Sequence, residues 1–163
     1  MVEPLLVSGG GLVYQHSLLP RQGGVLSPVL FSVYVNSVIQ RLQMSNCGCI
    51  IGSQFLGCIM YAEDLVLLSP SVMCDLQKMI NICVDEASYL KLKFDRKKSC
   101  VLRFGARYLH YCKPIILDGK VLEYVSTARY LGVLLRIGRS FGVNLHFMKS
   151  HFYSSFNSIF PQF

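Results

Sequence analysis

The sequence predicts an α+β fold in which helices pack on an antiparallel sheet. Three observations carry this expectation. Two segments, residues 29–42 and 72–89, repeat apolar side chains at helical spacing. Several short apolar runs of strand length lie between turn residues. These segments follow one another in mixed order, without the regular alternation of a parallel βαβ sheet. With 163 residues and 52% hydrophobic composition, the chain suits one domain with a packed core.

Residues 1–20 read as an irregular, glycine-rich N-terminal segment. Ser27-Pro28 marks a helix start, because Ser caps free N–H groups and Pro is tolerated in the first turn. Leu30, Tyr34, Val38 and Leu42 then recur on one helical face, flanked by Phe31, Val35 and Ile39. Asn46-Cys47-Gly48 breaks the pattern. Residues 49–51, 55–61 and 65–68 read as strands, with Tyr61-Ala62-Glu63-Asp64 at the tip of the hairpin joining the last two. Ser69-Pro70-Ser71 caps a second helix. Its positions Val72, Leu76, Met79, Cys83 and Ala87, joined by Ile80 and Val84, keep helical spacing. Residues 92–94 and 100–104 read as short strands around the basic stretch Arg96-Lys97-Lys98. Asp118-Gly119 is a preferred turn pair for a hairpin over 115–124. Residues 130–135 give one more strand, and an amphipathic helix runs from near Asn144 to about Phe160.

Net charge and cysteine usage narrow the function classes. Charged residues make up 15% of the chain, which excludes a disordered polar tail. The net charge of +7 favours a polyanionic partner, nucleic acid before anionic membrane; a solvated Lys/Arg surface is the plainer alternative. Seven cysteines occur at irregular spacing with no Cys-x-x-Cys pair, so they read as small buried hydrophobes of a protein in an intracellular, reducing compartment. Residues 42–62 carry no charge and are long enough to span a bilayer, but Gln43, Ser45, Asn46, Ser53, Gln54 and three glycines suit a turn between strands better. The N-terminus has no basic region ahead of an apolar one, so no signal peptide is expected.

Three groups of residues have the types that chemistry needs. Gly23-Gly24 ahead of a helix start lets backbone approach a ligand closely, and the helix N-terminus beside Arg21 would favour a phosphate. A tight turn before a core helix explains the same residues. Glu63 and Asp64 are carboxylates inside an otherwise apolar hairpin, suited to Mg²⁺ through oxygen ligands, or idle at an exposed tip. Lys97 and Lys98 either neutralise a polyphosphate or form a solvated basic loop.

Several blocks together resemble one family. Arg21-Gln-Gly-Gly-Val-Leu-Ser-Pro-Val-Leu-Phe-Ser-Val-Tyr-Val-Asn36 is similar to the second conserved block of reverse transcriptases from non-long-terminal-repeat retrotransposons. Tyr61-Ala-Glu-Asp-Leu-Val-Leu-Leu68 resembles that family's Tyr-Ala-Asp-Asp hairpin. Leu90-Lys-Leu-Lys-Phe-Asp-Arg-Lys-Lys-Ser99 resembles the block that follows, Tyr130-Leu-Gly-Val-Leu-Leu135 resembles the Tyr-Leu-Gly strand at the primer grip, and residues 152–159 resemble the opening helix of the thumb. Five motifs in the right order make a specific signal.

The resemblance implies a partial polymerase palm over residues 21–140, with the start of a truncated thumb over 141–163. Its ancestral activity is RNA-directed DNA polymerisation by two-metal nucleotidyl transfer. It further implies Mg²⁺ at Glu63 and Asp64, an RNA or DNA template-primer as partner, and contacts to nucleotide or template from Arg21, Gln22, Gly23, Gly24, Tyr61, Lys97 and Lys98. Two departures imply an inactive chain. Glu63 stands where the family has its hairpin Asp, and the block supplying a further metal-binding Asp has no counterpart, Glu3 being the acidic residue upstream of Arg21. The alternatives are a non-catalytic nucleic-acid-binding module that keeps the basic groove, or a small membrane protein using residues 42–62.

Overall fold

A computed structural model describes residues 5–14, 27–70 and 75–159. In chain order the first elements are β1 (Leu5–Tyr14), α1 (Ser27–Tyr34), α2 (Asn36–Met44), β2 (Ile50–Ile51), β3 (Gln54–Phe55), β4 (Cys58–Tyr61) and β5 (Asp64–Ser69). Then come α3 (Gln77–Tyr89), β6 (Leu92–Arg103), β7 (Ile116–Leu117), β8 (Lys120–Val121) and β9 (Glu123–Tyr124). The described chain ends with β10 (Thr127–Tyr130), β11 (Val133–Arg136), β12 (Gly142–Asn144) and α4 (His146–Ile159). Mixed helices and mainly antiparallel pairings make this the expected α+β architecture.

The main sheet has five strands in the order β4-β5-β1-β6-β9. β1 is its central strand, which corrects the reading of residues 1–20 as irregular. Leu5 pairs with Ser69 on one side and with Arg103 on the other. The apolar triplets Leu5-Leu6-Val7 and Leu12-Val13-Tyr14 have strand character. Pairing along both edges of β1 outweighs the cost of the glycines between those triplets.

Both faces of the sheet are covered, so β5 is buried almost continuously rather than at alternate positions. Leu65, Leu67 and Val101 face a core built by Val38 and Leu42 of α2 with Met79, Ile80 and Cys83 of α3. Val66 and Leu102 face the other way, against Leu135 of β11 and the partly buried Tyr130 and Val133. The helical spacing read for residues 76–87 is realised here: Leu76, Met79, Ile80, Cys83 and Ala87 are all buried. Val72 lies outside the described residues.

Three local expectations change. The helix expected over 29–42 is two helices, broken at fully buried Val35, which sits at φ −90° and ψ 1°. A β-branched residue loses side-chain freedom in a helix, and here the bend keeps it in the core. The two strands expected around Arg96-Lys97-Lys98 are one strand, β6, with a bulge at that stretch. The single strand expected over 130–135 is the β10–β11 hairpin, with Tyr130 paired to Val133. Its turn places Leu131 at φ 47° and Gly132 at φ 80°, and a glycine takes the second of these at no steric cost. The uncharged window 42–62 is the end of α2 followed by β2, β3 and β4. Among the described residues no helix is long and apolar enough to cross a membrane.

Two side-chain contacts tie the helices down. Gln77 on α3 donates through Nε2 to the Ile116 carbonyl at 2.8 Å, while the Ile116 N–H donates to Gln77 Oε1 at 2.8 Å. The amide thus mimics a strand partner and docks the β7–β8 hairpin against α3. Arg41 on α2 donates to Glu86 on α3 at 2.5 Å, with the Glu86 side chain 11% exposed. The Arg41 hydrogen bond holds the Glu86 carboxyl below the usual glutamate range. A carboxylate whose folded pKa is depressed stabilises the fold above its unfolded pKa and loses that contribution as pH falls through the folded value. Replacing Glu86 by Gln is therefore expected to cost about 1 kcal/mol at neutral pH, Arg41 being half exposed. It should also flatten the stability curve below about pH 5, where an ordinary Glu begins to protonate. Urea titrations of both proteins across acid pH measure this.

Candidate functional site

The β4–β5 hairpin presents the acidic pair at its tip, level with the middle of β1. Tyr61 pairs with Asp64, so Ala62 and Glu63 form a two-residue turn, and the predicted tip is where the structure has it. Such tight turns require positive φ at a central position, and Ala62 supplies it at φ 48°. That conformation is strained for a residue with a Cβ. Ala62→Gly is expected to stabilise the fold by about 0.5–1 kcal/mol, read as a raised urea midpoint with unchanged slope.

At this tip Glu63 and Tyr61 are exposed, whereas Asp64 is half-buried. Strand alternation puts Asp64 on the sheet face of Val66. Tyr130 of β10 lies on that face too. Burial pushes the Tyr130 hydroxyl pKa up first, and the neighbouring Asp64 and Cys58 push it further in the same direction. The Tyr130 Oη is buried and has no hydrogen-bond partner among the described residues.

The strand register brings the basic stretch, midway along β6, level with the hairpin tip. Ser8 pairs with Cys100 and Gly10 with Asp95, so residues 96–99 bulge out opposite Gly9, which also pairs with Leu65 beside Asp64. Lys97 and Lys98 are exposed on this bulge. With β1 between them, the hairpin tip and the bulge are two strand spacings apart, about 10 Å. Asp95 shapes the bulge: its Oδ1 accepts the Lys97 N–H at 3.0 Å, and the Ser99 hydroxyl donates to its carbonyl at 2.8 Å. Packing also brings the first helices close, since Met60 of β4 contacts the cluster of Phe31, Val35, Ala87 and Leu92. Of the predicted site residues, then, the structure brings Tyr61, Glu63, Asp64, Lys97 and Lys98 to one level of the sheet. Arg21, Gln22, Gly23 and Gly24 lie outside the described residues.

Sequence reading missed two features of this site. The first is β1, whose apolar triplets are a visible strand signal once the glycines between them are tolerated. The second is Tyr130 as a neighbour of Asp64; its Tyr-Leu-Gly motif was the available clue.

The donor set does not fit a divalent metal pair. The strand beside the hairpin, Leu-Leu-Val-Ser-Gly-Gly-Gly-Leu-Val-Tyr, contains no carboxylate. Among the described residues no three of His, Cys, Asp and Glu come together as a metal site would require. Glu63 in the turn and Asp64 at the start of β5 are two carboxylates, fewer than the oxygen ligands that a pair of Mg²⁺ ions demands.

A mainly antiparallel sheet with helices packed on one face carries the acidic hairpin. Residues 8–135 match the family Reverse transcriptase (RNA-dependent DNA polymerase), and the chain belongs to it. The match begins inside β1, so that strand is part of the family domain. A 49-residue stretch is 43% identical to the Retrovirus-related Pol polyprotein from type-1 retrotransposable element R2 of Nasonia vitripennis. That stretch is 30% of this chain and 5% of that protein's length. The chain thus carries reverse transcriptase domain sequence, one stretch of which is similar to a retrotransposable-element Pol polyprotein. Reverse transcriptases generally use divalent metal ions and bind a nucleic-acid template-primer.

Proposed function

We propose that this chain binds nucleic acid through its palm surface without polymerising nucleotides. The observation that carries this reading is the composition of the sheet level with the hairpin tip. The basic bulge of Lys97 and Lys98 stands level with Asp64, while the intervening strand β1 offers glycines where a two-metal site needs a further carboxylate. Electrostatic attraction to phosphates survives in such an arrangement, because it needs charge rather than ligand geometry. The metal clamp does not survive, because it needs both. An RNA or DNA template-primer is the proposed partner. The thiols described as free suit a reducing compartment, where we place the protein.

Binding to a primed RNA template, followed against salt concentration, tests the reading. Affinity should fall linearly on a log–log plot, and the Lys97→Ala, Lys98→Ala double variant should lower the slope by about two. Binding indifferent to salt would exclude this function.

A further inference from the structure

α4 carries an apolar stripe that stays exposed among the described residues. Leu145, Met148, Phe152, Phe156 and Ile159 recur at spacings of three, four, four and three residues. At 3.6 residues per turn they lie within about 80° of one another around the helix axis. The Leu145 carbonyl accepts the Lys149 N–H at 2.9 Å, so Leu145 joins the helical spiral. The Phe152 and Phe156 rings stack at a centroid distance of 6.1 Å, which keeps both on the stripe. Yet every residue from Met148 to Ile159 is exposed, Phe152 at 64% and Ile159 at 71%. A helix of 14 residues is marginal in water unless its apolar face packs. Ser, Asn, His and aromatic residues make up most of α4 and are weak helix formers, so propensity does not hold it. The helix therefore needs a surface to pack on.

The shape of the stripe selects the partner. A narrow seam is the pattern of helix-on-helix packing, whereas a helix lying on a membrane has a strongly charged polar face. The polar side of α4 holds Ser150, Ser154, Asn157 and Ser158, and Lys149 is its one formal charge with histidine neutral. The stripe also reads the same in both directions about Phe152. Two antiparallel copies related by a two-fold axis at Phe152 set Leu145 against Ile159, Met148 against Phe156, and Phe152 against itself. Such self-complementarity is what a two-fold interface requires. The two Lys149 residues then lie about 9 Å apart along the axis, so like charges do not meet. Each copy offers on the order of 500 Å² of exposed apolar side chain, so the pair buries about 1,000 Å², the size at which an interface becomes specific.

We propose that α4 is a homodimer interface, pairing antiparallel with α4 of a second copy about Phe152. The pairing goes beyond nucleic-acid binding and does not depend on it. Sedimentation equilibrium of the full chain, with no nucleic acid present, should show a reversible shift from one chain mass to two as concentration rises. Phe152→Glu sets like charges together at the two-fold axis and should weaken the dimer by about 30-fold or more, the effect of a central hot spot. Ser154→Glu, on the opposite side of the helix, should leave the dimer unchanged. Charge exchange reads the register. Met148→Glu and Phe156→Lys should each weaken the dimer. Combined in one chain they should tighten it by about tenfold over either alone, because antiparallel pairing sets each new carboxylate against a new ammonium. All these positions are exposed, so the buried core is untouched and cooperative unfolding persists. The proposal is overturned by a chain that stays monomeric at every concentration, by a Phe152→Glu protein as dimeric as the parent, or by a double variant weaker than both single ones. A monomer that floats with phosphatidylserine vesicles would assign the stripe to a membrane surface and overturn it too.

Discussion

Given a primed RNA template, deoxynucleotides and Mg²⁺ or Mn²⁺, this chain is expected to leave the primer unextended. Asp64→Ala is expected to leave that result unchanged. Two-metal transfer stabilises the attacking and leaving oxygens together, and it needs carboxylates converging on both ions. Here Asp64 stands at the start of β5, Glu63 lies at the exposed tip, and β1 contributes glycine in the adjoining position. A longer Glu at a metal ligand position misplaces its oxygen by about 1 Å, an error that alone can cost about 10²-fold in rate. Removing a further ligand compounds it. Glu63→Asp is accordingly expected to give no rescue, because the gap in β1 persists. Primer extension that disappears on Asp64→Ala would show that the site is complete and this account wrong.

Leu102→Ala is expected to destabilise the fold by about 2–5 kcal/mol, a large part of the roughly 5–15 kcal/mol that holds a domain together. Leu102 is fully buried in β6 and joins Val66 and Phe104 to Leu135 of the β10–β11 hairpin. Truncating it leaves a cavity between two sheets whose backbones are fixed by their own ladders, so the space closes poorly. Tyr111, 90% exposed, serves as the contrast, and Tyr111→Ala should change stability by less than about 0.5 kcal/mol. Equilibrium urea unfolding by circular dichroism distinguishes the two. A Leu102 variant as stable as the parent would mean that the second sheet is not packed on the first.

Much of the architecture was legible because the signals were local. The helical face of Leu76, Met79, Cys83 and Ala87 follows from spacing, and the bend at Ala62-Glu63 from a polar break in an apolar run. The turn at Asp118-Gly119 follows from residues that accept positive φ. What escaped was set by distant partners. β1 reads as coil by composition, and pairing with β5 and β6 makes it a strand. The Leu131-Gly132 turn looks like mid-strand in sequence, because Leu131 is an unusual residue at φ 47°. At the site, the motifs identified Asp64 and the lysines. Their common level in the sheet came from register, and register depends on the bulge of residues 96–99 opposite a single glycine.

The placement of β1 has a consequence for how the molecule assembles. β1 is the middle of the sheet and precedes both of its partners in sequence, so Leu5 finds its neighbours only when Ser69 and Arg103 have been made. Loop closure of that length must precede any gain from pairing, which makes for slow folding. Until then the facing edges of β5 and β6 stay open to one another and to other chains.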